Sequence, residues 1–312
     1  WGNETRFLIP TRDPKNLDRY KQKYDILTTD VSLHFNIFKL FYNFILLVKL
    51  LLMADIVIIT ASLFYEYKLF NFNQNPFIGL FPFLILAKLF GKRIGLYSAG
   101  IGPIYSQTGK RFIGFMLRRL DFLILREKNS AVLAKHLGVD KKRIFVTADI
   151  ALLTPKLEES HINSILKKEK VLKYKKLGVN VNFYIDSFLS GTGKISKDKF
   201  IDILARSLDS MVEKQNLEVF FFVFCPWDYE ITCEILSKMK NKGKAKIISF
   251  PRYNHLETAS LVSKMDIFLG MRLHSLILSF AYNVPFVSIN YATKCHDFLN
   301  LIAEEDKEIT FK

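Results

Sequence analysis

Cysteine is scarce in this chain. Cys225, Cys233 and Cys295 are the three present among 312 residues. No CxxC pair links them, so neither a disulfide framework nor a structural zinc is expected, and a reducing cytoplasmic setting fits. Proline and glycine are modest, at 9 and 14 residues. No low-complexity tract and no repeat period appears, which argues against disordered, solenoid and propeller organisations. Acidic residues are the minority: 30 against 45 Lys and Arg, a formal net charge of +15. A surface of that sign attracts anions such as acidic lipid, nucleic acid and phosphorylated substrates. Much of the excess lies in two lysine runs, 167–176 and 237–246, which read as solvated helix ends and loops. Neither run has arginine–aromatic interleaving or a nucleic-acid motif, so no nucleic-acid partner is expected. The histidines show no metal-ligand spacing such as HExxH, and no GxGxxG fingerprint occurs, so no metal and no bound cofactor is expected. No signal peptide is visible, and the first residue is Trp1 rather than Met.

Uninterrupted apolar runs of membrane length are also missing. The nearest, FNIFKLFYNFILLVKLLLM (35–53), is broken by Lys39, Asn43 and Lys49. At helical periodicity Asn36, Lys39, Tyr42, Asn43 and Lys49 fall in a sector of roughly 140°, which predicts an amphipathic helix. Two readings stand side by side: a core-facing helix of an α/β domain, or an interfacial helix resting peripherally on a membrane, at its inner, cytoplasmic face. FIGLFPFLILAKLF (77–90) lends the second reading weak support, while its length and Pro82 argue against a span.

What the chain does contain is a recurring alternation. Short apolar runs at 55–60, 93–100, 122–127, 143–149, 177–183, 217–226, 244–250, 266–271 and 286–291 read as strands, several of them apolar on both faces. Helical patterns separate them, among them 129–138, closed by Gly138, and 197–215. The fold class expected is α/β, with parallel sheets covered by helices. The polar stretch from about Pro155 to Lys176 suggests a crossing between two Rossmann-like domains, 1–155 and 156–312, facing a cleft.

The chemistry-bearing residues lie at the carboxyl ends of these strands. Arg272 and His274 follow the strand at 266–271 at the start of an apolar helix, where helix N-terminus, planar guanidinium and imidazole could form an anion site. If the turn stays extended, both side chains project to one side. A structural arginine with a capping histidine is an equal alternative. Lys294 follows the next strand and either converges on the same place or is merely solvated. Arg126 ends the strand FLILRE and serves either a site or a salt bridge to Glu127 or Asp149. In SAGIGPI (98–104), Gly100 and Gly102 permit a tight turn and close approach to a ligand. Asn180, Asn182, Trp227 and Asp228 follow two strands of the second half and are of sugar-contacting type, or simply loop residues.

Taken together these blocks resemble the polysaccharide pyruvyl transferase family. The strongest match is DIFLGMRLHSLILSFAYNVPFVSINYATK (266–294), with its apolar strand, G-x-R-L-H turn, helix, N-V-P turn and strand leading to Y-x-x-K. LYSAGIGPI, LILREKNSAVLAKHLGV and VTADIALL match further blocks in order. WGN at 1–3 looks like the end of the family's N-terminal loop, which would place the first strand ahead of Trp1. The glycine-rich loop that members often carry after the second strand is missing from ITASLF (59–64).

The resemblance implies a GT-B-like fold, an acceptor side in 1–155 and a donor side in 156–312. It further implies transfer of the enolpyruvyl unit of phosphoenolpyruvate to a sugar of a cell-surface polysaccharide or its lipid-linked precursor, forming a ketal. Arg126, Arg272 and Lys294 match positions expected to hold phosphoenolpyruvate, and His274 with Arg272 those expected to catalyse. Gly100, Gly102, Asn180 and Trp227 remain acceptor or cleft residues. Two other readings are a GT-B glycosyltransferase using a nucleotide sugar and a non-catalytic homologue that binds glycan or membrane.

Overall fold

The computed structural model describes residues 5–11, 14–30, 37–60, 63–66, 69, 76–171, 174–182, 195–249, 252–291 and 293–310. The chain divides into two compact units, Trp1–Thr147 and Ala148–Lys312. The break falls a little ahead of the expected boundary at 155. The polar stretch that was to cross between domains instead belongs to the second unit and carries a helix, Glu159–Lys168, which buries Ile162 and Ile165.

In the first unit, β1 (Arg6–Thr11) and β2 (Asp25–Asp30) pair in parallel around a short helix, α1 (Asp18–Lys21). There follow α2 (Ile37–Met53), β3 (Ile56–Ile59), α3 (Pro76–Leu89), β4 (Arg93–Ala99), α4 (Gln107–Leu117), β5 (Phe122–Leu125), α5 (Lys128–His136) and β6 (Ile144–Val146). β3 to β6 form a parallel sheet in sequence order. The face its inner strands turn to the helices is closed: Ile94, Leu96, Leu123 and Leu125, in register on one side of the sheet, are wholly buried. The helices begin and end where local chemistry satisfies their terminal groups. The Ser106 hydroxyl accepts the N–H of Gly109 at 2.9 Å to start α4. Past α5, Gly138 adopts φ +83°, the left-handed geometry its sequence position predicts.

In the second unit, α6 (Glu159–Lys168), β7 (Lys175–Asn180), α7 (Lys197–Gln215), β8 (Leu217–Val223), α8 (Tyr229–Lys238) and β9 (Ala245–Ser249) come first. They are followed by α9 (His255–Val262), β10 (Ile267–Gly270), α10 (Leu273–Ala281), β11 (Phe286–Asn290), α11 (Thr293–Leu301) and β12 (Glu308–Thr310). The six strands are parallel, in the order β9-β8-β7-β10-β11-β12. The chain moves outward from β7 through β8 to β9, then returns to lay β10 on the other side of β7. The strand order therefore reverses between β7 and β10, and in doubly wound sheets ligands bind beyond the carboxyl ends at such a reversal. Phe220, Phe221, Phe222 and Phe268 fill the core around these central strands, each worth about 1.5–3 kcal/mol of apolar burial.

Two charge expectations change. The 237–246 run is not all solvated: Lys246 pairs at 2.7 Å with the buried carboxylate of Glu218. Lys175 and Lys176 of the other run lie in β7. The helix expected at 35–53 is present over Ile37–Met53, but its polar sector does not face outward as a whole, since Asn43 is 5% exposed. Leu50 and Leu51 are buried near it in sequence, whereas Phe44, Ile45, Leu52 and Met53 are exposed. Among the described residues, no helix is long and apolar enough to cross a membrane.

Candidate functional site

The strand reversal brings together a row of polar groups. In register, Asn180 of β7 lies beside Gly270 of β10, and Gly270 beside Ser288 of β11. Gly270 ends its strand in a turn so tight that a Cβ there would overlap the Ser275 hydroxyl and Leu276 of α10. Asn180 binds this turn to the sheet. Its Oδ1 accepts the backbone N–H of Arg272 at 2.9 Å, and its Nδ2 donates to the Phe222 carbonyl of β8 at 2.9 Å. Asn180 is thus a buried bridge joining β7, β8 and the turn after β10.

Arg272 stands at the N-cap of α10 in extended geometry (φ −78°, ψ 137°). Leu273 and His274 are already helical, so the extended turn that would aim Arg272 and His274 the same way ends one residue too early. The Arg272 side chain instead turns to Asp228. Its Nε donates to Asp228 Oδ2, and Nη2 donates to Oδ1 at 2.7 Å, a two-point fork on one carboxylate. Asp228 ends a 3₁₀ turn, Pro226–Asp228, after β8 and is 0% exposed. Burial pulls the Arg272 pKa down, but the hydrogen bonds and charge of Asp228 outweigh it, holding the guanidinium above its ordinary value. Arg272 is therefore a fixed cation with part of its charge and two of its donor nitrogens already engaged.

His274 is exposed on the first turn of α10. Lys294, in the first turn of α11, places its ammonium 5.4 Å from the ring centre of Tyr291. Tyr291 is buried. Burial raises its phenol pKa most, with Cys295 and Asp228 adding and Arg272 and a hydrogen bond from Asn182 opposing, for a net rise. The same interactions show that Tyr291, the ring next to the Lys294 ammonium, lies within electrostatic reach of Arg272 and Asp228. Because Tyr291 stays protonated where unfolded tyrosine ionises, it contributes stability that is present below pH ~10 and lost as pH rises beyond that. In an alkaline absorbance titration, Tyr291→Phe is accordingly expected to remove no signal in the range where ordinary tyrosines ionise. A signal lost in that range would contradict the burial argument.

The remaining sequence-predicted residues are placed as follows. Arg126, in the first unit, donates through Nε to Glu127 at 3.0 Å, the salt bridge named as one of its alternatives. Glu127 in turn accepts from the Ser130 hydroxyl at 2.7 Å. Gly100 is buried. Gly102 has φ +92°, its N–H is donated to the Phe64 carbonyl at 2.8 Å, and a Cβ would meet Leu133 at 2.9 Å. The positive φ and the packing against Leu133 both favour glycine at this position. Trp227 is 68% exposed, the reverse of its buried neighbour Asp228. Among the described residues, no group of three or more His, Cys, Asp or Glu is placed to hold a metal ion. Residues 1–3 and His34 lie outside the described residues, as does part of ITASLF.

The family model described as polysaccharide pyruvyl transferase matches residues 5–293. The chain belongs to this family. A curated relative, the amylovoran biosynthesis protein AmsJ of Erwinia amylovora, is 22% identical over 223 residues, which is 69% of this chain and 53% of that protein. The chain thus spans about half the length of the curated relative it matches. Solved structures share the fold. The Anabaena HepE protein in complex with UDP and glucose has a TM-score of 0.51 at 11% identity, covering 96% of this chain and 88% of that one. A glycosyltransferase from Rickettsia africae gives 0.57 at 12% identity, covering 97% and 75%. The UDP-GlcNAc 2-epimerase of Neisseria meningitidis gives 0.55 at 11%, covering 97% and 92%. These likenesses establish the α/β, GT-B-like fold.

For this pyruvyl transferase family member, the structure adds Asp228 and Tyr291 to the residues grouped around the R-L-H turn. In CPWDYE, Asp228 stands beside Trp227, and by sequence both read alike as sugar-contacting or loop residues. The available signal was positional: a carboxylate following β8, the strand beside β7, at which the strand order reverses. Tyr291 formed part of the Y-x-x-K pattern, yet nothing in the sequence distinguished a buried phenol from a surface one.

Proposed function

We infer that the chain transfers the pyruvyl unit of phosphoenolpyruvate to two hydroxyls of a polysaccharide sugar or its lipid-linked precursor. The observation that carries this reading is the Arg272 cation, locked by buried Asp228 at the strand reversal, with exposed His274 on the same helix and Lys294 reaching the adjoining Tyr291. Phosphoenolpyruvate brings a phosphate and a carboxylate and needs several fixed cations together.

In the proposed reaction the C3 methylene takes a proton from His274, and one sugar hydroxyl adds at C2 as it gives up its own proton. The C2–O bond to phosphate then breaks and the second hydroxyl closes the ketal. One proton ends on the new methyl group and one on the departing inorganic phosphate. Arg272 and Lys294 stabilise the donor's negative charge and the leaving phosphate.

Calorimetry with phosphoenolpyruvate tests the donor assignment. The wild type is expected to bind it, and Arg272→Lys, which keeps a charge for Asp228 but loses the planar fork, is expected to bind about tenfold or more weakly. Binding of UDP with none of phosphoenolpyruvate would instead support a nucleotide-sugar glycosyltransferase, the ligand class named for HepE.

A further inference from the structure

Helices α3, α4 and α5 connect neighbouring strands of the parallel sheet β3-β4-β5-β6. Right-handed crossovers place all three on one face. α2 packs beside α3, and Lys92, just past α3, donates to the carbonyl of Leu52 near the end of α2 at 3.0 Å. Phe81 of α3 stacks on Phe112 of α4 with ring centres 4.8 Å apart. The three helices α2, α3 and α4 therefore form one continuous layer.

Its inner side is conventional: Leu51, Leu84, Ile113 and Met116 are buried in the core of the unit. Its outer side is not. Leu52 of α2 is 55% exposed and Leu89 of α3 is 75% exposed, with Phe44, Ile45, Met53 and Phe90 also exposed. Between α3 and α4 lies an open groove of about 470 Å³ lined by Phe81, Phe112, Phe115, Thr108 and Arg111. A helix layer that is apolar on both sides has a second face to cover.

The charge pattern selects the occupant. Between residues 31 and 120 the sequence has ten Lys and Arg, against Asp55 and Glu66 as its two acidic residues. None of α2, α3 and α4 contains an acidic residue. Lys49 is exposed on α2, Arg111 borders the groove, and the Arg119 guanidinium lies 3.4 Å from the centre of the Phe115 ring. A second copy of the chain on this face would set two basic surfaces against each other. An anionic lipid surface satisfies both parts, taking the apolar side chains at the headgroup boundary and the cations at the headgroups.

We propose that the outer face of α2, α3 and α4 docks this protein on an anionic lipid bilayer. The proposal is independent of the reaction assigned to the second unit. The test is co-sedimentation of the full chain with vesicles of phosphatidylcholine, with or without phosphatidylglycerol. The anionic vesicles are expected to take up the protein, the neutral ones far less, and added salt to weaken the binding. Lys49→Gln with Arg111→Gln should lower partition roughly 30-fold, at about fivefold per basic residue. Leu52→Ser with Leu89→Ser should lower it about tenfold or more, while both pairs leave the melting temperature unchanged because all four side chains are exposed.

Lack of binding to anionic vesicles would overturn the proposal. So would binding that survives both paired substitutions, or that falls equally with the control pair Lys240→Gln and Lys242→Gln in the second unit. A dimer in light scattering that Leu52→Ser with Leu89→Ser dissolves, without vesicle binding, would assign the face to a second copy.

Discussion

Alanine at Asp228 is expected to destabilise the second unit by about 3–5 kcal/mol, the cost of stripping one partner from a buried ion pair. The carboxylate is wholly enclosed, and the guanidinium it holds has only 18% of its side chain exposed. Without Asp228, Arg272 keeps its charge in a poorly hydrated place and loses two hydrogen bonds. The reading is the urea midpoint of the second unit, followed by a probe in that unit because two-domain chains need not unfold in one step. Asp228→Asn separates charge from shape: it preserves the volume and one acceptor, so it should lose less stability than alanine while still loosening Arg272. Phosphoenolpyruvate affinity should fall with both variants, since Asp228 acts by positioning the arginine. If Asp228→Ala unfolds like wild type, the ion pair has no structural weight and the site must be rebuilt around other groups.

Glutamine at His274 should behave in the opposite manner. The side chain is exposed on the first turn of α10, so stability should change by no more than about 0.5 kcal/mol. Turnover should fall about 10²–10⁴-fold, the usual contribution of a general acid or base. Phosphoenolpyruvate binding should be largely kept. Phosphate release in the presence of lipid-linked oligosaccharide acceptors measures the first effect, and calorimetry the second. Wild-type turnover in His274→Gln would remove the histidine from the chemistry.

How well the sequence foretold the fold depended on how local the controlling physics was. α7 begins and ends where its pattern predicts, at Lys197 and Gln215, because Ser196 caps its start and Asn216 takes the left-handed conformation at its end. β8 was legible from an apolar run, LEVFFFV, that only a sheet covered on both faces can bury, and all seven of its residues are buried. β1, β2 and β12 were not: RFLIPT, DILTTD and EIT mix polar and apolar residues in short runs. The R-L-H turn was legible as a place, and the family assignment followed from it. The arginine's orientation was not, because it depends on a carboxylate 44 residues away in sequence. Asn43 fell on the wrong side for a similar reason: periodicity fixes the angle between side chains but not which neighbour covers them.

The Asn180 bridge has a consequence for how the site would respond to a ligand. By joining the Phe222 carbonyl to the Arg272 N–H, it makes the floor of the site a rigid frame. Arg272, already forked onto Asp228, has little rotational freedom left to surrender when an anion arrives, so the entropy lost on binding falls mainly on the more mobile groups at the rim. Under the proposed reaction, adaptation to different acceptors would fall to exposed side chains such as Trp227, next in sequence to Asp228, and would leave the frame beneath undisturbed.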